Sequence, residues 1–478
     1  MAAALRVAPL RPLTFLVVAG LLASFLVGAA SALSPVLGVG AVAALAYVAL
    51  VLVHLPAGLA LWVVTSFFEA VPALEPAVKA SGLILVFAWL GSLHNRQAQV
   101  VAFVRRHAKL LLALFALLAW VTLSLTWSEQ PHLGPNFLAW PVAIAVLIVV
   151  ATTVDSERRL RLVAGAFVFA AVASLLLGLG GGETGLGSSL PSIGSAINDA
   201  GRVQGGVGGA NALAAGLVSA LALAGGLALT TRSRALRALL LAAVAVLGLG
   251  VVATQSRGGL VALAAAALVA LVVFKARRGI VLLFVAFALA ATTFALVVSP
   301  DASSRVTQRD ERGGSGRIDT WRVAVRIAQD HPLAGVGLRN YHVHALRYAG
   351  DLASLETVTL LERKQYVHNV YLELLAELGL VGLALYLVVV GGCLRASAVA
   401  IRRFEALGER SLADLARSVV VATAGALTAL IFLSGPAISR LWILLALGPA
   451  MLAIAARRGV EGSEQRASRA RARLKSVR

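Results

Sequence analysis

Apolar segments long enough to cross a bilayer recur along this 478-residue chain, and no other feature narrows its fold so far. A hydrocarbon core of roughly 30 Å needs about 20 helical residues. Only helices and closed barrels satisfy their backbone hydrogen bonds there, and these segments lack the period-two alternation of barrel strands. Composition agrees: 59% of the residues are hydrophobic, 13% are charged, and the mean hydropathy is +0.89. The chain reads as all-α, a polytopic transmembrane helical bundle of about 12–14 spans with one long non-cytoplasmic loop containing short helices.

Candidate spans fall at 13–32, 35–53, 55–71, 79–93, 109–126, 137–153, 160–180, 208–230, 236–254, 258–274, 279–299, 369–394, 416–434 and 438–456. The third and fourth are short and can be one broken or interfacial element. Lys and Arg set the orientation, because cytoplasmic connections carry their excess. With the N-terminus inside, marked by Arg6 and Arg11, every second connection is basic: 96–109, "ERRLRL", "TRSRALR", "KARR", "LRASAVAIRRFEALGERS" and the tail from residue 457. The opposite connections, outside the long segment 300–367, carry only Lys79, Arg202, Arg257 and Arg440. Both termini are expected in the cytoplasm. The first span is too long, and too closely followed by a second, for a cleavable signal peptide.

Five stretches follow: N-terminal transmembrane helices at 1–207, transmembrane helices containing "SRGG" at 208–299, the outer segment at 300–368, C-terminal transmembrane helices at 369–456 and a basic cytoplasmic tail at 457–478. Most of the net charge of +20 is therefore topology signal, with a tail suited to anionic lipid head groups. No interleaved aromatics or recognisable module argue for nucleic acid. The single cysteine, Cys393, excludes an intramolecular disulfide and a cysteine-cluster metal site.

Against that topology, the arginine in "ATQSRGGLVALA" stands out, since positive charge is statistically unwelcome on the outer side. Arg257 can simply snorkel to head groups at a tight turn. It can also mark an anion site. Ser256 can cap the helix, Gly258 and Gly259 remove bulk from its first turn, and free backbone N–H groups there suit a phosphate beside a guanidinium. One hairpin earlier, in "AGRVQGGVGGANALA", Arg202 precedes a glycine-rich turn that is either a flexible linker or a second such site. Both helix starts present their positive dipole ends to one face.

The outer segment is too long to be an economical connector and reads as a lid or functional domain. Within it "SGRIDTWRVAVRIAQDHP" predicts an amphipathic helix with Ile318, Trp321, Val325 and Ala328 on one side and Arg317, Arg322 and Arg326 elsewhere. His342 and His344 of "YHVHA" would share a face only in a strand, which leaves a metal site without an evident third ligand. Where the chain re-enters the membrane, "QYVHNVYLELLAELGLVGLALYL" puts His368 and Asn369 at a helix N-terminus. That location favours neutral imidazole, which is either an interfacial cap or a general base for a hydroxyl proton. Glu373 and Glu377 follow one and two turns below, either orienting the histidine or pairing with a buried arginine.

"GRVQGGVGGANALA", "SRGGLVAL", "GRIDTWRVAVRIAQDHPLAGVGLRNY" and "HNVYLELLAELGLVGLALYL", in this order over about residues 200–395, resemble the O-antigen ligase and O-antigen polymerase family. The resemblance implies a metal-independent, cofactor-free transferase of the bacterial cytoplasmic membrane, working on its outer face. Its donor would be a glycan on undecaprenyl diphosphate, and its acceptor the lipid A core or another glycan. By motif, the family's diphosphate-binding arginines fall on Arg257 and Arg317, with Arg202 matching a less firmly assigned one, and its essential histidine falls on His368. The middle of the outer segment, 342–364, carries no transferable motif. A protein acceptor uses the same donor chemistry. An anionic-lipid transporter is the rival from another class, but the mid-span segments are mostly Ala, Leu and Val and offer few groups for a polar path. A scaffold whose outer loop binds partners leaves the arginines and histidine unexplained.

Overall fold

A computed structural model describes residues 34–72, 74–131, 133–180, 198–199, 202–275, 317–350 and 367–476, with isolated positions beside them. The expected spans at 13–32 and 279–299 lie almost wholly outside the described residues, as do 300–316 and 351–366. The rest is helical: α1 (Pro35–Val53), α2 (Leu55–Thr65), α3 (Glu75–Ser92), α4 (Gln97–Leu123), α5 (Pro135–Thr153), α6 (Glu157–Gly180), α7 (Ala210–Thr230), α8 (Arg234–Ala253), α9 (Arg257–Val273), α10 (Arg317–Asp330), α11 (Tyr341–Ala349), α12 (Val370–Ala406), α13 (Arg410–Ala429) and α14 (Ser439–Ser476). A two-residue antiparallel ladder, β1 (Asn198–Asp199) with β2 (Arg202–Val203), precedes α7.

Among the described residues, eight helices are long and apolar enough to cross a membrane, and shorter apolar helices at Gly38–Val53, Leu55–Thr65 and Arg257–Val273 accompany them. The protein is thus a polytopic helical membrane protein. Its core is a band of Leu, Val and Ala closed by Trp140, Tyr386 and Trp442, whose rings meet edge-on. α7, α13 and α14 are its most enclosed members. α4 and α8 leave much of their apolar surface outward, where lipid replaces protein as the partner.

Two expected spans are corrected. The segment 55–71 is not one span, because α2 stops at Thr65 after about 16 Å. The chain then turns inward: Phe67 packs edge-on against Phe167 at 4.9 Å, and the Ala70 N–H bonds the Gly206 carbonyl at 3.0 Å. The re-entering span from residue 369 is broken as well. Gly379 takes φ +68° and ψ −171° inside α12, a conformation that L side chains rarely adopt. The break frees backbone groups that the 332–337 turn uses. Val336 N donates to Ala376 O at 3.0 Å, Gly337 N to Glu377 O at 2.8 Å, and Leu380 N to Pro332 O at 2.8 Å, while the Trp120 indole takes the Leu378 carbonyl at 2.9 Å. The segment between α10 and α11 is thereby keyed into a discontinuous helix.

α10 is rotated from the expected apolar face: Thr320, Val323, Ala324, Ile327 and the expected Ala328 are buried and Trp321 packs beside them, whereas Ile318 and Val325 are 42% and 39% exposed. The pattern offered two apolar stripes. The one with small Ala324 allows close approach to Tyr341, Ala345 and Ala376, and that packing decided the rotation.

Candidate active site

The expected site residues lie on separate elements whose ends meet at one end of the bundle. Ser256 caps α9, its Oγ accepting from Gly259 N at 3.0 Å and donating to Asn211 Oδ1 at 2.6 Å. Asn211 also accepts from Arg202 Nη2 at 3.4 Å, and Arg202 Nε donates to the Thr254 carbonyl at 3.3 Å. One small polar knot therefore ties β2, the start of α7, the end of α8 and the start of α9. Gly258 serves packing: a Cβ there would lie 2.7 Å from the Phe432 side chain. The exposed Arg257 follows the cap directly.

α10 brings the third arginine. Arg317, partly buried at its first position, makes no side-chain hydrogen bond or ion pair among the described residues. Burial first, then the charges of Arg202 and Arg257, lower its pKa. Three segments far apart in sequence thus raise one positive field, although the guanidinium groups stay charged at any physiological pH.

His368 lies within that field. Burial, and after it the charge of Arg317, hold its imidazole below the ordinary histidine value of 6.5. The neutral form expected from the sequence is favoured, with burial and a guanidinium as the causes. The segment is tied from both sides. The Trp321 indole donates to Val367 O at 3.0 Å, and His368 N donates to Ser434 Oγ at 2.9 Å. Asn369 caps α12, its Oδ1 accepting from Tyr371 N at 3.0 Å and Leu372 N at 3.2 Å.

Glu373 and Glu377 are buried and hold the loops around the histidine. Glu373 Oε2 accepts from Gly435 N at 3.2 Å, and its other oxygen is 4.0 Å from Arg339 Nη1. Glu377 accepts from Arg339 N at 2.8 Å and Tyr341 N at 3.4 Å. Pairing with an arginine is the observed arrangement for Glu373. Sequence reasoning missed Arg339 and Ser434. Their signal was topological: both lie in outer connections of the positive-inside register, in "GLRNY" and "SGPAIS".

Backbone strain marks the same end. Among the described residues the non-glycine positions with positive φ are Gln255 (49°), Arg339 (60°) and His368 (53°). Such conformations cost about 1–3 kcal/mol each and persist where surrounding bonds over-determine them. His342 and His344 lie on the short helix α11 and not in a strand, and among the described residues no group of three or more His, Cys, Asp or Glu side chains is placed to hold a metal ion.

No curated protein matches the chain. A family model does match its central part: residues 242–387, which contain Arg257, Arg317, His368 and the break at Gly379 but not Arg202, fit the model described as O-antigen ligase, so this segment is similar to that family.

Proposed function

We propose that the protein is an O-antigen ligase-like glycosyltransferase that moves a glycan from undecaprenyl diphosphate to an acceptor hydroxyl of the lipid A core or a similar glycan. Arg257 and Arg317, with Arg202 behind them, bind the donor diphosphate, and His368 is the general base. The observation that carries this reading is Arg317, a partly buried guanidinium without a protein partner among the described residues, set in the field of two further arginines beside a histidine held neutral. A site that gathers like charges at a cost in self-repulsion suits an anion, and diphosphate carries the charge density and oxygen geometry that guanidinium groups match.

The acceptor oxygen attacks the anomeric carbon, the bond from that carbon to the phosphate oxygen breaks with its electron pair on the leaving undecaprenyl diphosphate, and the hydroxyl proton passes to the His368 imidazole. The guanidinium groups offset the charge that grows on the diphosphate, so this scheme routes no step through a metal. A single displacement inverts the anomeric configuration. The outer helices α10 and α11, keyed into the break at Gly379, limit water that would hydrolyse the donor. The basic connections at the other ends of the helices support assigning this chemistry to the outer face of the cytoplasmic membrane.

The test is transfer by the purified chain in nanodiscs, with a synthetic undecaprenyl-diphosphate glycan offered lipid A core and a second donor repeat, EDTA present. Inverted product on one acceptor names the protein ligase or polymerase. Donor movement across the bilayer without product on either acceptor would move the assignment to a transporter.

A further inference from the structure

The opposite end of the bundle holds a cavity that the transfer chemistry does not use. Its volume is about 890 Å³, within the range of about 300–1,000 Å³ typical of ligand pockets. It lies where α6, α8 and α13 begin and α7 ends, and these helices run from it to the arginine site. A helix of about 20 residues is about 30 Å long, so the cavity and the arginine site are separated by about one bilayer thickness.

One wall is apolar and opens outward. Leu162, Gly165, Ala166 and Phe169 form an i, i+3, i+4, i+7 stripe on α6, facing Leu236 and Leu240 of α8. Leu162, Phe169 and Leu236 are 39%, 63% and 45% exposed, so the opening faces the hydrocarbon of the surrounding membrane. At Gly165 a Cβ would meet nothing within 4 Å, which leaves unfilled space at the middle of the stripe.

The other wall carries both signs of charge. Arg161 is already saturated: Nε donates to Glu157 at 2.9 Å, Nη1 to Thr230 Oγ1 at 2.9 Å and Nη2 to Ser411 Oγ at 2.8 Å. That leaves Arg232 and Glu409. Both line the cavity, and neither side chain has a hydrogen bond or ion pair among the described residues. One cation and one anion, each without a partner, at the head of an apolar groove open to lipid is a pattern complementary to a zwitterion on acyl chains.

We infer that this cavity binds a zwitterionic phospholipid with a primary ammonium, of the phosphatidylethanolamine class, from the leaflet on the side of the basic connections. Its phosphate pairs with Arg232, its ammonium with Glu409, and one acyl chain lies along the Gly165 stripe. A primary ammonium has N–H donors for the carboxylate, which a quaternary choline lacks. An anionic headgroup would leave Glu409 opposed by like charge. The site is independent of the transfer reaction at the other end.

The experiment is native mass spectrometry of the full chain released from nanodiscs of equimolar dioleoyl phosphatidylethanolamine, phosphatidylcholine and phosphatidylglycerol. Phosphatidylethanolamine is expected to be retained over the other two. Arg232→Gln and Glu409→Gln should each cut that retention about tenfold, the loss of one charged contact. Gly165→Leu fills the groove and should remove all retained lipid while thermal stability holds or rises. Soluble glycerophosphoethanolamine, lacking chains, should leave no adduct. Equal retention of the three lipids, preference for phosphatidylglycerol, or unchanged retention in the Arg232 and Glu409 variants overturns the assignment; the latter two positions lie outside the packed core and keep the test decisive if Gly165→Leu fails to fold.

Discussion

Arg161 and Arg317 sit at opposite ends of one helical bundle and show two uses of the same side chain. Arg161 is a fastener: Glu157, Thr230 and Ser411 on three helices take its donors. Arg317 makes no such bonds among the described residues and instead shares a field with Arg202 and Arg257, which lowers its pKa after burial has done so first. Satisfied arginines stabilise the fold they belong to. Arginines gathered against one another raise the energy of the unliganded protein, and in the proposed function a bound diphosphate offsets that repulsion.

That contrast can be broken most directly by paired substitutions. His368→Ala should lower transfer by about 10²–10⁴-fold, the usual worth of a general base, with membrane levels and melting temperature unchanged. Arg317→Ala should lose transfer by about 10²–10³-fold, again without loss of stability, whereas Arg161→Ala should keep its turnover and lose about 1–3 kcal/mol by leaving Glu157 with one partner fewer. Activity and thermal unfolding measured on the same two preparations decide it; parallel losses in both would end the distinction. Gly258→Ala should cost about 1–3 kcal/mol, because the new methyl meets Phe432, and calorimetry of the variant reads it. Ser256→Ala should cost about 1 kcal/mol through the lost cap, and the exposed cap Ser233 at the other end less.

The smallest expected effect is on pH. His368 must be neutral to accept a proton, and burial with Arg317 depresses its pKa below 6.5. Transfer should therefore hold as pH falls through 6.5 and fail only below it. Arg317→Gln removes one of the two causes and should move the acid limb of kcat/KM upward, independently of how far it lowers the plateau. An acid limb that stays in place would separate His368 from Arg317.

Several parts of this arrangement were readable in the chain. The spans at α4–α8 and α12–α14 followed from apolar run length, because lipid penalises any other backbone arrangement. The Ser256 cap followed from a polar residue ahead of a helical pattern, and Asn369 from the same logic. The face of α10 was not readable, since Ile318 and Val325 continue an apolar stripe as good as the one that is buried. Nor was the break at Gly379, which looks like any glycine in an apolar run until the 332–337 turn supplies partners for the freed backbone. Ser434 and Arg339 carry no local signature; what singles them out is the bond each makes to a segment distant in sequence.

What the sequence by itself determined is a membrane-embedded helical protein, the side on which its basic connections gather, and the residue types able to handle a diphosphate and a proton. These follow from local properties, hydrophobic length and charge placement, that need no knowledge of neighbours. Only the tertiary structure decided which arginines share a field, what ties His368 in a left-handed conformation between Trp321 and Ser434, and which charges at the far end are already satisfied. Electrostatic coupling and packing depend on distances between segments, and those are fixed when the helices close on one another.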